Sequence, residues 1–392
     1  MSDVSTPSSL STRIAFTDEQ AMLADSAAAF CRERSPRDAV RQRMTTDTGY
    51  DAGVWQEIGE LGWLAVAVPE HLGGSGLSIG HTAVIAEAMG RHLLATPFAS
   101  TQLFVQATLA AGDAGLQEQW LPQVVDGAAA TVALFEDDGD WDLTQLSARG
   151  TRQGAQVLLS GAKCGVTDAG SARALWVSVQ LDGAPALALV PASALPAGAL
   201  QRETIVDETR RSWRLALDGV AVPAASVVTG VTALGMLQAV RNAALLLAAA
   251  EAAGGIAGAL AVIVEYLNTR TTFGRKIGSY QGLKHPSAEI LIGLERARSH
   301  VAHAATLLVD LAAGEAHPAA VETALRMAKV EAGDSFVFAG DRAVQFHGGF
   351  GFTWDCDAQL YLRRALWLQP WFGDAAHHRA RLAGALLGPV GA

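Results

Sequence analysis

Cysteine is scarce in this chain. Its 392 residues hold three, Cys31, Cys164 and Cys356, with no C-x-x-C pair and no His spacing to match. A disulfide framework and a zinc site are therefore not expected, and a reducing, cytoplasmic setting is. Positive charge is also short: 29 Lys and Arg face 39 Asp and Glu, for a net charge of −10 and a pI near 5.5. That balance argues against nucleic acid as the main partner, because phosphate-backbone binding needs concentrated cations. A local basic patch for a nucleotide-like cofactor is still compatible with it. Only 17% of residues are charged and half are apolar, so little of the chain can be disordered. The opening stretch to Phe16 has no apolar core, which predicts no secretory signal. The most apolar run, Ala243 to Val264, is long enough for a membrane span. Glu251, the Gly254-Gly255 pair and a helical pattern continuing past Glu265 make it a buried bundle helix instead, with no membrane span.

What is present is a change of texture along the chain. Thr17-Asp18-Glu19-Gln20 reads as an N-cap followed by acidic residues, opening a helix that runs to about Arg34. Trp55 to Leu64 and Ser78 to His92 are further helices, separated by the glycine-dense Gly73-Gly74-Ser75-Gly76 loop. From about Ala128 short β-like runs take over: Thr131–Phe135, Gln156–Ser160, Ala174–Gln180, Ala186–Val190 and Trp213–Leu217. No helix long enough for a parallel crossover lies between them, which predicts an antiparallel barrel or sandwich. Long helices return over Leu234–Thr269, Gly282–Ala313, Pro318–Gln345 and roughly Cys356–Gln369, with the short connections of a bundle. The predicted fold is α+β and mostly α: a helical domain (13–127), a middle antiparallel β-barrel domain (128–230) and a C-terminal four-helix bundle (231–392).

Three words carry chemistry. Arg270-Thr271-Thr272-Phe273-Gly274-Arg275-Lys276-Ile277 with Tyr280-Gln281 pairs a cation fork with an aromatic that could pack against the flat portion of a cofactor. Gln345-x-x-Gly348-Gly349-x-Gly351 gives a backbone that a phosphate could approach closely. It is not the G-x-G-x-x-G fingerprint, because no parallel strand precedes it. The third, Trp371-Phe372-Gly373-Asp374, follows Tyr361-Leu362-Arg363-Arg364. These words, in this order over nearly the whole chain, resemble the acyl-CoA dehydrogenase superfamily of flavoproteins.

The resemblance implies FAD, an acyl-CoA thioester substrate and, as acceptor, an electron-transferring flavoprotein. It implies that Arg270, Thr272, Phe273, Gln281, Gln345, Gly348 and Gly349 reach the FAD of a neighbouring subunit, and that Glu136, Thr167 and Asp374 serve the chain's own flavin. The family's base, a Glu before the Gly of the third word, is Phe372 here, and the alternative position on the first bundle helix is Ala244. A flavin-facing Thr becomes Phe135, and the Trp that covers the ring becomes Gly165. Asp374 is then the better substitute base and Glu251 the poorer. His347 and Lys329 read as packing, solvated or helix-pairing residues.

Two functions follow. One is an FAD-dependent α,β-dehydrogenation of a bulky acyl-CoA with a non-standard base, in a homodimer or homotetramer. The other is a catalytically silent subunit that completes the FAD site of a related dehydrogenase in a heterotetramer.

Overall fold

The computed structural model describes residues 14–143 and 145–388. Six helices come first: α1 (Asp18–Arg34), α2 (Arg37–Met44), α3 (Ala52–Glu60), α4 (Ala83–Arg91), α5 (Phe98–Ala111) and α6 (Ala114–Val125). The predicted start of α1 is a full capping box: the Thr17 side chain accepts the Gln20 amide and the Gln20 side chain accepts the Thr17 amide. Asp51 and Asp113 cap α3 and α6 by their carboxylates alone, Asp51 accepting the Gly53 and Val54 amides and Asp113 the Leu116 amide.

The middle section holds β1 (Thr131–Ala133), β2 (Arg149–Gln153), β3 (Gln156–Ser160), β4 (Ala162–Thr167), β5 (Ala174–Leu181), β6 (Ala184–Pro191), β7 (Leu200–Arg202), β8 (Ser212–Ala216), β9 (Ala221–Pro223) and β10 (Val227–Thr229). These strands do not close into a barrel. One sheet runs β10-β6-β5-β2-β3-β9, with β1 also on β5, and a second runs β4-β8-β7. Pairing is mainly antiparallel, but β1 and β2 both lie parallel to β5, at opposite ends of one edge. Strands and loops, not a helix, make those crossovers, which is why helix spacing did not reveal them. Strand β2 escaped prediction because four of its five side chains are exposed, leaving no alternation to read.

The chain then forms α7 (Gly230–Thr269), a hairpin of Thr271–Thr272 with Arg275–Lys276, α8 (Gln281–Ala312), α9 (Pro318–Phe346), α10 (Ala358–Leu368) and α11 (Ala375–Leu387). From Ala243 to Ala259 helix α7 is buried on all sides, and apolar there save for Glu251, packing against α4, α5, α8, α9 and α10. Glycines set its closest crossing. A Cβ on Gly254 would sit 1.8 Å from the Glu87 carbonyl oxygen of α4, and one on Gly90 would sit 2.0 Å from that of Glu251. The N-terminal helices and the C-terminal bundle share one hydrophobic core, whereas most of the sheet section has its own. The cleft of interest lies where the sheets meet the end of α10.

Candidate active-site cleft and cofactor face

The turn after α10 carries the family's base position, and four groups fix it. Lys329 on α9 donates to the carbonyls of Leu368 (2.8 Å) and Gln369 (2.9 Å) at the end of α10. This corrects the expectation of a solvated or helix-pairing lysine: Lys329 is buried, and burial pushes its pKa down to about 7. Phe372 has φ +58° and Gly373 φ +113°, both in the left-handed region. A Cβ on Gly373 would come 2.8 Å from Nε2 of the buried His378, so glycine is required there. Asp374 then caps α11, its Oδ1 accepting the His377 amide at 2.8 Å. His378 is neutral, its pKa pushed down to about 3 by burial and by the nearby Lys329 and Arg326.

Phe372 points inward, 3% exposed, and meets Phe135 just beyond β1 edge to face at 4.8 Å. Trp371 packs on its other edge at 5.0 Å and stacks on Trp367 at 5.6 Å. Phe135, Gly165, Trp367, Trp371 and Phe372 line one cleft of about 330 Å³, with Trp141 at its rim and Glu203 and Ser212 as polar wall. The structure thus brings together three positions at which the sequence departs from the family pattern. The fourth, Ala244, is buried within α7.

The nearby carboxylates are engaged. Glu136 accepts from Lys163 Nζ (2.6 Å) and from the amides of Ser147 (2.6 Å) and Ala148 (3.1 Å). Burial opposes its ionisation, but the Lys163 contact and the two amides outweigh that and hold its pKa below the ordinary value. Its carboxylate therefore fastens β4 to the loop before β2. Glu251 sits between Arg210 and Arg364, and Arg364 also holds Asp207 and Thr209. Asp168, which follows Thr167, was not singled out from sequence. It is buried, accepts from Ser100 Oγ at 2.7 Å, and burial pushes its pKa up to about 6. Thr167 is itself buried, and its carbonyl accepts from Thr131 Oγ1 at 2.7 Å.

The remaining predicted residues lie elsewhere, on the outside of the bundle. Arg270 ends α7 and is exposed. Phe273 is 91% exposed with φ +54°, and the carbonyl of Thr272 accepts from Tyr280 Oη at 3.3 Å. Gln281 opens α8 and Gln345 stands exposed on the last turn of α9. Gly348 (φ +60°) and Gly349 are exposed, with no atom within 4 Å of where a Cβ would stand. His347, directly before Gly348, is a packing residue, bonded to the Ala343 carbonyl at 2.7 Å and stacked on Tyr266 at 4.1 Å. Phe350, Phe352 and Trp354 continue this face as exposed aromatics.

The acyl-CoA dehydrogenase N-terminal domain matches residues 17–128 and the C-terminal domain residues 236–387. Acyl-CoA dehydrogenase FadE12 of Mycobacterium tuberculosis is 30% identical over 76% of this chain and 79% of its own length. The chain belongs to the acyl-CoA dehydrogenase family. Acyl-CoA dehydrogenase IpdE2 of Mycolicibacterium smegmatis is 29% identical over 89% of this chain and 93% of its own. Among solved structures, a variant of the Tcur3481-Tcur3483 steroid ACAD aligns with TM-score 0.82 and 29% identity, over 94% of this chain and 98% of its own. The ChsE4-ChsE5 complex from Mycobacterium tuberculosis, at 24% identity, shares the fold with TM-score 0.85, over 96% and 99%.

The family's members are oxidoreductases acting on CH–CH bonds, with FAD as cofactor. The residues to which the resemblance gives FAD contacts fall on two separate faces. On the outer face the open backbone at Gly348-Gly349 leaves room for a phosphate, and Arg270 has no acidic partner among the described residues. In the cleft, Phe135 and Phe372 occupy the space between the sheets and α10.

Proposed function

We propose that this acyl-CoA dehydrogenase-family chain supplies the neighbour-facing half of an FAD site to a related, base-carrying subunit, and does not turn over acyl-CoA in its own cleft. The observation that carries this reading is the contact of Phe135 with Phe372. In an α,β-dehydrogenation the base takes a proton from Cα while hydride leaves Cβ for flavin N5, on the other side of the substrate. Substrate atoms need about 3.5–4.0 Å on each side, so the base and flavin-facing positions should stand roughly 7–8 Å apart. Here the rings at those positions touch at 4.8 Å, and neither can accept a proton.

The outer face supports the same reading. Arg270, Phe273, Gln281, Gln345, Gly348 and Gly349, all within the retained family words, stand exposed as a neighbour's cofactor would need. Asp374 finds little support as a substitute base, because its carboxylate is the N-cap of α11. Glu251 finds none, held by two arginines. The assembly's substrate would be an acyl-CoA with a bulky acyl group, a reading favoured by the steroid ACAD relative. An electron-transferring flavoprotein would take the electrons. Three unpaired cysteines suit a cytosolic setting.

The test is purification of the chain alone and co-expressed with a related dehydrogenase subunit, followed by flavin absorbance and dye reduction with acyl-CoA. The chain alone should hold no stoichiometric flavin and reduce no dye, and the complex should do both. In that complex Asp374→Asn, which preserves the cap, should leave the rate unchanged; loss of a true general base costs about 100- to 10,000-fold. Dye reduction by the chain alone would overturn the proposal.

A further inference from the structure

A second cavity, of about 540 Å³, lies where α1, α2, α4, α7 and α10 meet, lined among others by Arg32, Arg37, Arg91, His92 and Asp357. It opens at the junction of the N-terminal helices with the bundle, a common setting for small-molecule sites. Its chemistry is cationic, in a chain whose net charge is −10. Arg32 and Arg91 have no acidic partner among the described residues. Arg37 is held only loosely, 3.5 Å from both Glu265 and Asp357. Asp357 is engaged more closely by Arg41 at 2.9 Å, so it does little to neutralise Arg37. Asp38 is the other acid on the wall.

The positive field is felt by His92. Burial, then Arg91, Arg32 and Arg37, hold its pKa below the ordinary value. The wall is also fixed in place. Ser35 Oγ donates to the His92 carbonyl at 3.0 Å, and Tyr361 Oη to the Arg91 carbonyl at 2.9 Å. On Gly258 a Cβ would come 2.4 Å from the Arg91 carbonyl oxygen, so α7 and the end of α4 are in contact at the cavity floor. Three arginines line one cavity, two of them without an acidic partner among the described residues, and guanidinium forks are the donors that a tetrahedral oxyanion accepts best.

We propose that this cavity binds the phosphate group of a phosphorylated small molecule, held by Arg32, Arg37, Arg91 and His92. It is separate from the aromatic cleft and from the outer face, since none of its lining residues belongs to either.

The experiment is isothermal titration of the full-length protein with inorganic phosphate, pyrophosphate and ADP at low salt. Variants Arg32→Gln and Arg91→Gln are compared with Arg149→Gln, whose side chain bonds Gln180 on the sheet surface. Saturable binding should appear with at least one probe. Each of the first two substitutions should weaken it about tenfold or more, and Arg149→Gln should not. A preference for ADP over inorganic phosphate would identify a nucleotide as the ligand class; equal affinity would identify a bare phosphate. Arg32 and Arg91 are exposed, so thermal melting should confirm that the variants fold. No saturable binding to any probe, or equal affinity in all three variants, overturns the proposal.

Discussion

At the scale of single residues, the decisive position is Phe372. It is buried against Phe135 and Trp371. Restoring the family's acid there should not restore a base. Phe372→Glu places a carboxylate among aromatic rings without a partner, and an uncompensated buried charge costs about 3–5 kcal/mol. Urea unfolding at pH 7 should show a loss of that order, smaller at pH 5, where the acid can protonate. An unchanged midpoint at pH 7 would mean that the site tolerates a carboxylate, against the reading that Phe372 packs with Phe135 as an apolar pair. Lys329 makes the second residue-scale case. Its folded pKa of about 7 lies below its ordinary 10.5, so burial disfavours the protonated form. Between those values the unfolded chain holds a proton that the folded chain does not, and stability rises with pH. Lys329→Met should remove the part of that rise from pH 7 to 10 that Lys329 causes. Identical pH profiles for the two proteins would rule out this assignment.

At the scale of elements, the crossing of α4 and α7 is set by small residues. Gly254 and Gly90 let the two backbones approach to a distance that a methyl group would occupy. Gly254→Ala gains helix propensity of roughly 0.8–1.0 kcal/mol, yet it must push α4 away from α7. Because the obstacle is backbone, overpacking of about 1–3 kcal/mol or more should win, and calorimetry should record a lower melting temperature. A higher one would mean that α4 yields freely. The crossing also carries the cleft, since Glu251 lies one turn from Gly254 and anchors Arg210 and Arg364.

At the scale of the whole molecule, that ionic cluster joins the bundle to the sheets. Arg364 comes from α10, Glu251 from α7, and Asp207 and Arg210 from the loop between β7 and β8. Burial opposes the ionisation of Asp207, but Arg364 and Thr209 hold its pKa below the ordinary value. Arg364→Leu would leave two buried carboxylates sharing one remaining arginine. It should cost about 3–5 kcal/mol, read as a drop in the urea midpoint, with flavin uptake by the co-expressed complex lost in parallel. A change below about 1 kcal/mol would place the cluster with weak surface pairs.

The helices and their caps were legible because their causes are local. Thr17 bonds to Gln20 three residues away, and the period of apolar residues marks each buried face. The family words marked the outer face for the same reason, each being a contiguous run. Strand β2 was not legible, since its exposed side chains do not alternate, nor were the parallel pairings on β5, which join residues far apart in sequence. Sequence by itself thus determined the order of helices, strands and bundle, the family, and the loss of the usual base at Phe372. Tertiary structure decided what fills the vacated space. Phe135 and Phe372 lie 237 positions apart, and only the docking of α10 on the sheets brings their rings together. The same docking buries Lys329 under the turn and closes Arg210 and Arg364 on Glu251. These arrangements depend on packing between distant segments, which no local pattern encodes.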